Sequence, residues 1–267
     1  MAQEFPIVII GGNAPVVPFL MQRLKAKGYV AEVISRRGTA VPDGFTLTQM
    51  DLTESRNWIA PVNAVVINLL PMRILTQFLP RFIGVKAIIA HGDALRSIAA
   101  EEERLRSWAE RSNVAWTLLR AAIVYDCRTD QNITRMAKFI RRWHCLALTA
   151  PASGLRQPIH ADDAAHAVIA AIDNPAAQNK AIDIAGSETL PYKEMALRVF
   201  AALKMEPHIV MLPDGAQKAL TFCAQAGLAR QSLARAFERM NKDVVCDPAE
   251  GLRILDYQPR GFRPEFL

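Results

Sequence analysis

The chain is poor in cysteine. Its four cysteines, Cys127, Cys145, Cys223 and Cys246, form no CxxC pair and keep no regular spacing. That argues against a structural zinc or other metal site and against a disulfide framework. No stretch reaches about 20 uninterrupted apolar residues, so no membrane span is expected. The start lacks the basic cluster, long apolar run and small-residue cleavage site of a signal peptide, which makes a cytoplasmic protein the default expectation. No basic stripe interleaved with aromatics is apparent, so nucleic acid is not an expected partner. Aromatics are few, and there are only four tyrosines, Tyr29, Tyr125, Tyr192 and Tyr257. None has a lysine four residues on. Internal repeats and low-complexity linkers are absent as well.

What is present is a globular chain. Its 267 residues are 51% apolar, enough for a full core in one large domain or two closely joined ones. The net charge is +6 and thinly spread. Its densest cluster, Lys138, Arg141 and Arg142, reads first as a solvated helix face and next as a site for an anionic small molecule.

The organising stretch is 5–37, FPIVIIGGNAPVVPFLMQRLKAKGYVAEVISRR. A short apolar run suits a buried parallel strand. Gly11-Gly12 follows, where the chain must turn sharply and a phosphate can come close. Val17, Leu20, Met21 and Leu24 have helical spacing, and Gly28 stops the helix. A second strand over 30–34 ends in Ser35-Arg36-Arg37. Further strands are expected at 63–70, 85–90, 115–119 and 181–185. Helices are expected at 74–82, 99–112, 132–143, 161–172, 191–203 and 217–240. This alternation predicts an α/β fold, a Rossmann-type doubly wound parallel sheet.

A dinucleotide turn needs glycines for a tight turn, for close approach of backbone to pyrophosphate, and for close helix–strand contact. Gly11 or Gly12 supplies the first. Ala14 stands where the second belongs and Val17 where the third belongs, and Pro15 removes one N–H donor. At the end of the second strand, Ser35, Arg36 and Arg37 suit a 2′-phosphate, which points to NADP over NAD. The alternative is that the arginines only solvate a strand end. Asp51 either contacts the cofactor's adenine together with Leu52 or forms an Asx turn. Asn68, Leu69 and Leu70 close the strand at 63–70 where the cofactor's middle would pass, and the apolar pair is expected to form wall.

The chain resembles an extended or atypical short-chain dehydrogenase/reductase of the nucleoside-diphosphate-sugar epimerase-like branch. The residues that carry this are VAWTLLRAAIVYD (114–126), QNITRMAKFIRR (131–142), GLRQPIHADDAAHAVIAAI (154–172) and IAGSETLPYKEM (184–195), with RMNKDVVCD (239–247) and LDYQPRGFRP (255–264). The resemblance implies an NAD(P)-binding Rossmann domain over 1–150, with returning segments near 154–186. A smaller, mostly helical substrate-side domain would follow over 187–267. It also implies a tyrosine and lysine four residues apart, the lysine lowering the tyrosine pKa for proton transfer. The stretch where that pair belongs, AHGDALRSIAAEEER at 90–104, contains neither residue.

Three substitutes are open. His91 with Asp93 would make an acid–base group, or His91 is structural. Tyr125 would donate to a substrate oxygen, or it is packed. Ser97 would supply a hydroxyl, or it caps a helix. On the substrate side, Arg156 would clamp a diphosphate or carboxylate, with His160 and Asp162 at a helix mouth. Asp162 and Asp163 also suit N-capping. The first expectation is therefore an NADP-binding oxidoreductase or epimerase-like protein. Its substrate would be a small anionic molecule, the sugar-nucleotide class resting on resemblance, and a homodimer is allowed. The rival is a non-catalytic relative, a sensor or assembly subunit docking through Leu220, Phe222, Leu228, Leu233 and Phe237. An enzyme would instead bring His91, Tyr125 and Arg156 together in an open cleft. A third reading keeps His91 as acid–base without a nicotinamide cofactor.

Overall fold

The computed structural model describes residues 4–55, 57–93, 99–172, 174–213, 237 and 239–266. Seven parallel strands form the central sheet: β1 (Ile7–Ile10), β2 (Glu32–Ser35), β3 (Thr46–Gln49), β4 (Val65–Asn68), β5 (Ala87–Asp93), β6 (Ala115–Ala121) and β11 (Lys180–Ile184). Their order is β11-β6-β5-β4-β1-β2-β3. The chain builds outward from β1 in one direction, then crosses back to β4 and builds in the other. β1 and β4 therefore flank the point where such sheets bind ligands.

The apolar strand runs are explained by burial on both faces. Along β1, Ile7 and Ile9 join one apolar cluster with α1 (Val17–Ala26) and α5 (Ala161–Ala171). Val8 and Ile10 join the other, with α2 (Met72–Phe78) and α3 (Ala99–Ser112). Each fully buried aliphatic side chain contributes roughly 1.5–3 kcal/mol, which outweighs the mediocre helix propensity of proline-bearing α1. α7 (Ala249–Leu255) packs back on β11, where a side chain at Gly251 would meet the Asp183 carbonyl oxygen at 2.4 Å.

A third apolar cluster holds the smaller layer. It contains Tyr125, Ile133, Ile140, Leu148, Met195, Phe200 and Phe262. The elements here are β7 (Ile123–Tyr125) paired with β10 (Pro158–His160), β8 (Leu146–Thr149) paired with β13 (Ile209–Leu212), and β9 (Leu155–Arg156) paired with β12 (Leu190–Pro191). α4 (Ile133–Trp143) and α6 (Tyr192–Ala202) cover them.

The 125–148 segment buries its side chains in the same apolar cluster as 190–262. Among the described residues beyond 187 there are two helices, α6 and α7, and two short strands, β12 and β13. The helix expected at 217–240 and most of its apolar row lie outside the described residues. Among the described residues no helix is long and apolar enough to cross a membrane.

Candidate functional site at the strand ends

The turn after β1 is shaped by its neighbours. Gly11 has φ +98°, and a side chain there would press on the Leu69–Leu70 backbone at 3.3 Å. A side chain at Gly12 would sit 2.8 Å from Val33 Cγ1 and 2.9 Å from Ser35 Cβ. Both amides donate to the Ile34 carbonyl, at 3.0 and 3.1 Å. The two glycines thus wedge the turn between the ends of β2 and β4. Ala14 N–H donates to Gly11 O and Val17 N–H to Ala14 O, each at 2.9 Å. Pro15 and Pro18 have no N–H. Among the described residues the Asn13 and Val16 amides donate to no backbone carbonyl; Asn13 is exposed and Val16 is buried. Val17 is fully buried and shares its cluster with Ala161, Ala164 and Ala165 of α5. Small residues on α5 give α1 the room that a glycine at 17 would otherwise supply.

The end of β2 is polar and carries no acid. Ser35 is buried, and its Oγ accepts from Asn13 Nδ2 at 2.6 Å and from Arg37 N–H at 3.4 Å. Arg36 stands out into solvent with its guanidinium 3.7 Å from the Asp51 carboxylate. Asp51 accepts from the Thr53 N–H at 2.8 Å and from its hydroxyl at 2.5 Å, an Asx turn. The Thr53 bonds, then Arg36, hold the Asp51 carboxyl below the usual range. Leu52 is buried below it.

At the end of β4, Asn68 is fully buried. Its Nδ2 donates to Leu70 O at 2.8 Å, while Oδ1 has no hydrogen-bond partner. Leu69 and Leu70 are half-buried wall. On β5 the half-buried His91 pairs in register with Leu119 and lies one residue beyond Ala90, the partner of Asn68. On the other face of the sheet, Arg120 of β6 pairs in register with Gly92, is held in two-point contact by Glu102 of α3 and lies 3.6 Å from Asp183 of β11. Ser97 and the Asp93 side chain lie outside the described residues.

The second expected constellation is elsewhere and differently arranged. Arg156 is 2% exposed, and its guanidinium donates to the carbonyls of Leu155 (2.8 Å), Lys242 (2.7 Å) and Arg239. It also lies 5.0 Å over the Tyr192 ring. His160 caps α5, its Nδ1 accepting the Asp162 N–H at 3.1 Å, and its ring is edge-on to Phe19 and Tyr125. Desolvation, then the Arg260 charge, lowers the His160 pKa. Asp162 bridges Arg23 (2.7 Å) and Arg260 (2.8 Å), and buried Asp163 takes the Arg260 amide at 2.9 Å. Tyr125 is wholly buried against Phe262, with its phenol pushed up to about 12 by desolvation. His91, Tyr125 and Arg156 therefore do not converge on an open cleft. Sequence reasoning missed Asn13, Arg120, Arg23 and Arg260. Only Asn13, directly after the glycine pair, carried a local signal.

No family model matches the chain, and no curated protein matches it in sequence. Its fold does have solved counterparts. The UDP-glucuronic acid 4-epimerase of Bacillus cereus, in complex with UDP-glucuronic acid and NAD, superposes with a TM-score of 0.74 at 13% identity, over 97% of this chain and 95% of that one. The UDP-glucose 4-epimerase of Thermus thermophilus, in complex with NAD, gives 0.69 at 15% identity, over 97% and 96%. That of Thermotoga maritima, with UDP-glucose, gives 0.70 at 12%, over 96% and 94%.

Proposed function

We propose that this chain is an epimerase-like member of the short-chain dehydrogenase/reductase superfamily that binds NADP across the ends of β1, β2 and β4 and acts on a small anionic substrate of the sugar-nucleotide class. The observation that carries the reading is the Gly11-Gly12 turn at the switch point, set beside a β2 end that offers Ser-Arg-Arg and no acid. The fold counterparts, solved with NAD and UDP-sugars, support the ligand classes. Asn13, the exposed residue of the turn, would present its amide to the pyrophosphate, and Asp51 with Leu52 would border the adenine. Arg36 would exchange part of its hold on Asp51 for the 2′-phosphate. Leu69 and Leu70 would wall the middle of the cofactor. When bound, the nicotinamide supplies a hydride donor or acceptor. Of the acid–base candidates, His91 is the one on a strand leading to that edge.

Calorimetric titration with NADPH and NADH tests this. NADPH should bind more tightly than NADH, and Arg36→Ala should weaken NADPH alone by about tenfold or more, one charge-assisted contact being worth roughly 1.5–3 kcal/mol. No binding of either at millimolar concentration would sink the proposal. A second reading, a non-catalytic sensor or assembly subunit, is favoured by the missing Tyr/Lys pair and the sealed Tyr125. NADPH binding without turnover of any sugar nucleotide would select it.

A further inference from the structure

The outer face of α4 plays no part in the strand-end site. The helix is fastened from beneath. The Asp130 carboxylate accepts the N–H groups of Asn132 (3.0 Å), Ile133 (2.6 Å) and Thr134 (3.1 Å), which secures the first turn. Ile133, Met136, Ala137 and Ile140 are buried in the smaller core. The opposite face carries Arg135, Lys138, Phe139, Arg142 and Trp143, all exposed and spaced i, i+3, i+4, i+7, i+8, one continuous stripe. With Arg141, α4 holds four cations and no acid, in a chain whose whole net charge is +6. Phe139 is 45% and Trp143 61% exposed, with ring centroids 6.4 Å apart. The Arg142 guanidinium lies 5.5 Å over the Trp143 ring. β8 begins three residues after Trp143 and pairs with β13, which exposes Val210 and Met211. The sequence expectation that no basic stripe is interleaved with aromatics does not hold for this helix.

A single exposed aromatic needs no explanation, but two neighbours rimmed by cations on a well-anchored helix do. Aromatic rings favour the headgroup level of a bilayer, where one end is apolar and the other wet. Lysine and arginine beside them meet lipid phosphates. We propose that this face docks the protein on an anionic lipid surface. α4 then lies in the plane of the headgroups, Phe139 and Trp143 enter the interface, and Arg135, Lys138 and Arg142 meet the phosphates. Single-stranded nucleic acid has the same taste for cations and rings, but it is held in grooves with ring faces open for stacking. Here the surface is the convex side of a helix, the rings are tilted by 41°, and a guanidinium already covers Trp143.

The test is co-sedimentation of the full chain with phosphatidylcholine vesicles, with and without about one third phosphatidylglycerol. The expected result is binding to the anionic vesicles only, reversed by high salt. Each lost cation should weaken partition about fivefold, so Lys138→Glu with Arg142→Glu should weaken it about 25-fold or more. Phe139→Ser with Trp143→Ser should weaken it without changing its salt dependence. All four side chains are exposed, and circular dichroism with thermal melting verifies that the variants are folded. Absence of binding to anionic vesicles overturns the proposal. So does binding indifferent to both double variants, or capture of a single-stranded oligonucleotide through these residues while vesicles are ignored.

Discussion

The turn after β1 and the seam where β10 runs into α5 are both rich in polar residues, yet they are organised in opposite ways. In the seam the polar groups are met inside the protein: Arg156 by three carbonyls, Asp162 by Arg23 and Arg260, Asp163 by Arg260, and His160 by the Asp162 amide. At the turn, Arg36 is largely in solvent, the Asn13 amide donates to no backbone carbonyl, and Asn68 keeps a buried carbonyl oxygen without a partner. Polar groups that are fully satisfied hold a fold together, whereas polar groups left over are available to a ligand. The seam is accordingly a fastener between the larger and smaller cores, and the turn is the proposed site. Substitutions in the seam should then lower stability and spare binding, and those at the turn should do the reverse.

The largest effect is expected at Arg156. Arg156→Met keeps the aliphatic stem but removes the guanidinium's hydrogen bonds to the Leu155, Lys242 and Arg239 carbonyls, bonds to a charged group being worth roughly 1.5–3 kcal/mol each. Urea denaturation should show a loss of about 3 kcal/mol or more, with dinucleotide affinity unchanged under conditions where the variant is folded. A loss below about 1 kcal/mol would mean that Arg156 does not fasten the 239–242 segment.

Gly12→Ala comes next and tests the other region from its structural side. The added methyl meets Val33 and Ser35 at under 3 Å, an overpacking that costs about 1–3 kcal/mol. Because the strain falls on the β2 end, dinucleotide binding should weaken along with stability. Here the two regions overlap: the glycines of the turn are structural in themselves and serve the proposed site through the Asn13 amide that follows them.

His160 separates the regions by pH. Its folded-state pKa is lowered, so the neutral ring that caps α5 is favoured by folding. The stability this contributes is complete above the unfolded-state value near 6.5 and is lost as pH falls through the lower folded-state value. His160→Asn retains a capping oxygen and removes the titration. At neutral pH the variant should lie within about 1 kcal/mol of the parent, and the fall in stability below about pH 6.5 should become shallower in acid denaturation curves. An unchanged slope would place the acid sensitivity elsewhere.

The same contrast explains what could be read from the chain alone. IVII, VVIN and the strands beside them are buried on both faces, so their composition announced a parallel sheet, and Gly11, Gly28 and the helical spacing of Val17, Leu20 and Leu24 marked the first unit. Local spacing also located the end of β2 that carries Ser35 and Arg36, whereas β3, which leads to Asp51, was not among the expected strands. β8 and β13 were not legible: each is four residues long, and β13 is half-exposed between Pro207 and Pro213. The seam was visible as a cluster of polar residues but not as a fastener. Its partners arrive from far away, Arg23 from 139 residues before Asp162 and Arg260 from 97 residues after Asp163. Whether a guanidinium or carboxylate is satisfied depends on contacts that no local pattern records.

Arg36→Ala carries the smallest expected change in stability and the sharpest division between the regions. Its side chain is 74% exposed, and the 3.7 Å contact with Asp51 is a screened surface pair, worth about 0–1 kcal/mol. Melting should therefore shift hardly at all. Asp51 keeps both Thr53 bonds without it, so the loop after β3 should hold its shape. Affinity for NADPH is the quantity that should fall, and affinity for NADH should not. If Arg36→Ala lowers stability as Arg156→Met does, Arg36 belongs with the seam residues and the β2 end is another fastener. If it changes neither stability nor affinity, the exposed charge at β2 is only solvated, and the leftover donors of the turn serve a ligand without a 2′-phosphate.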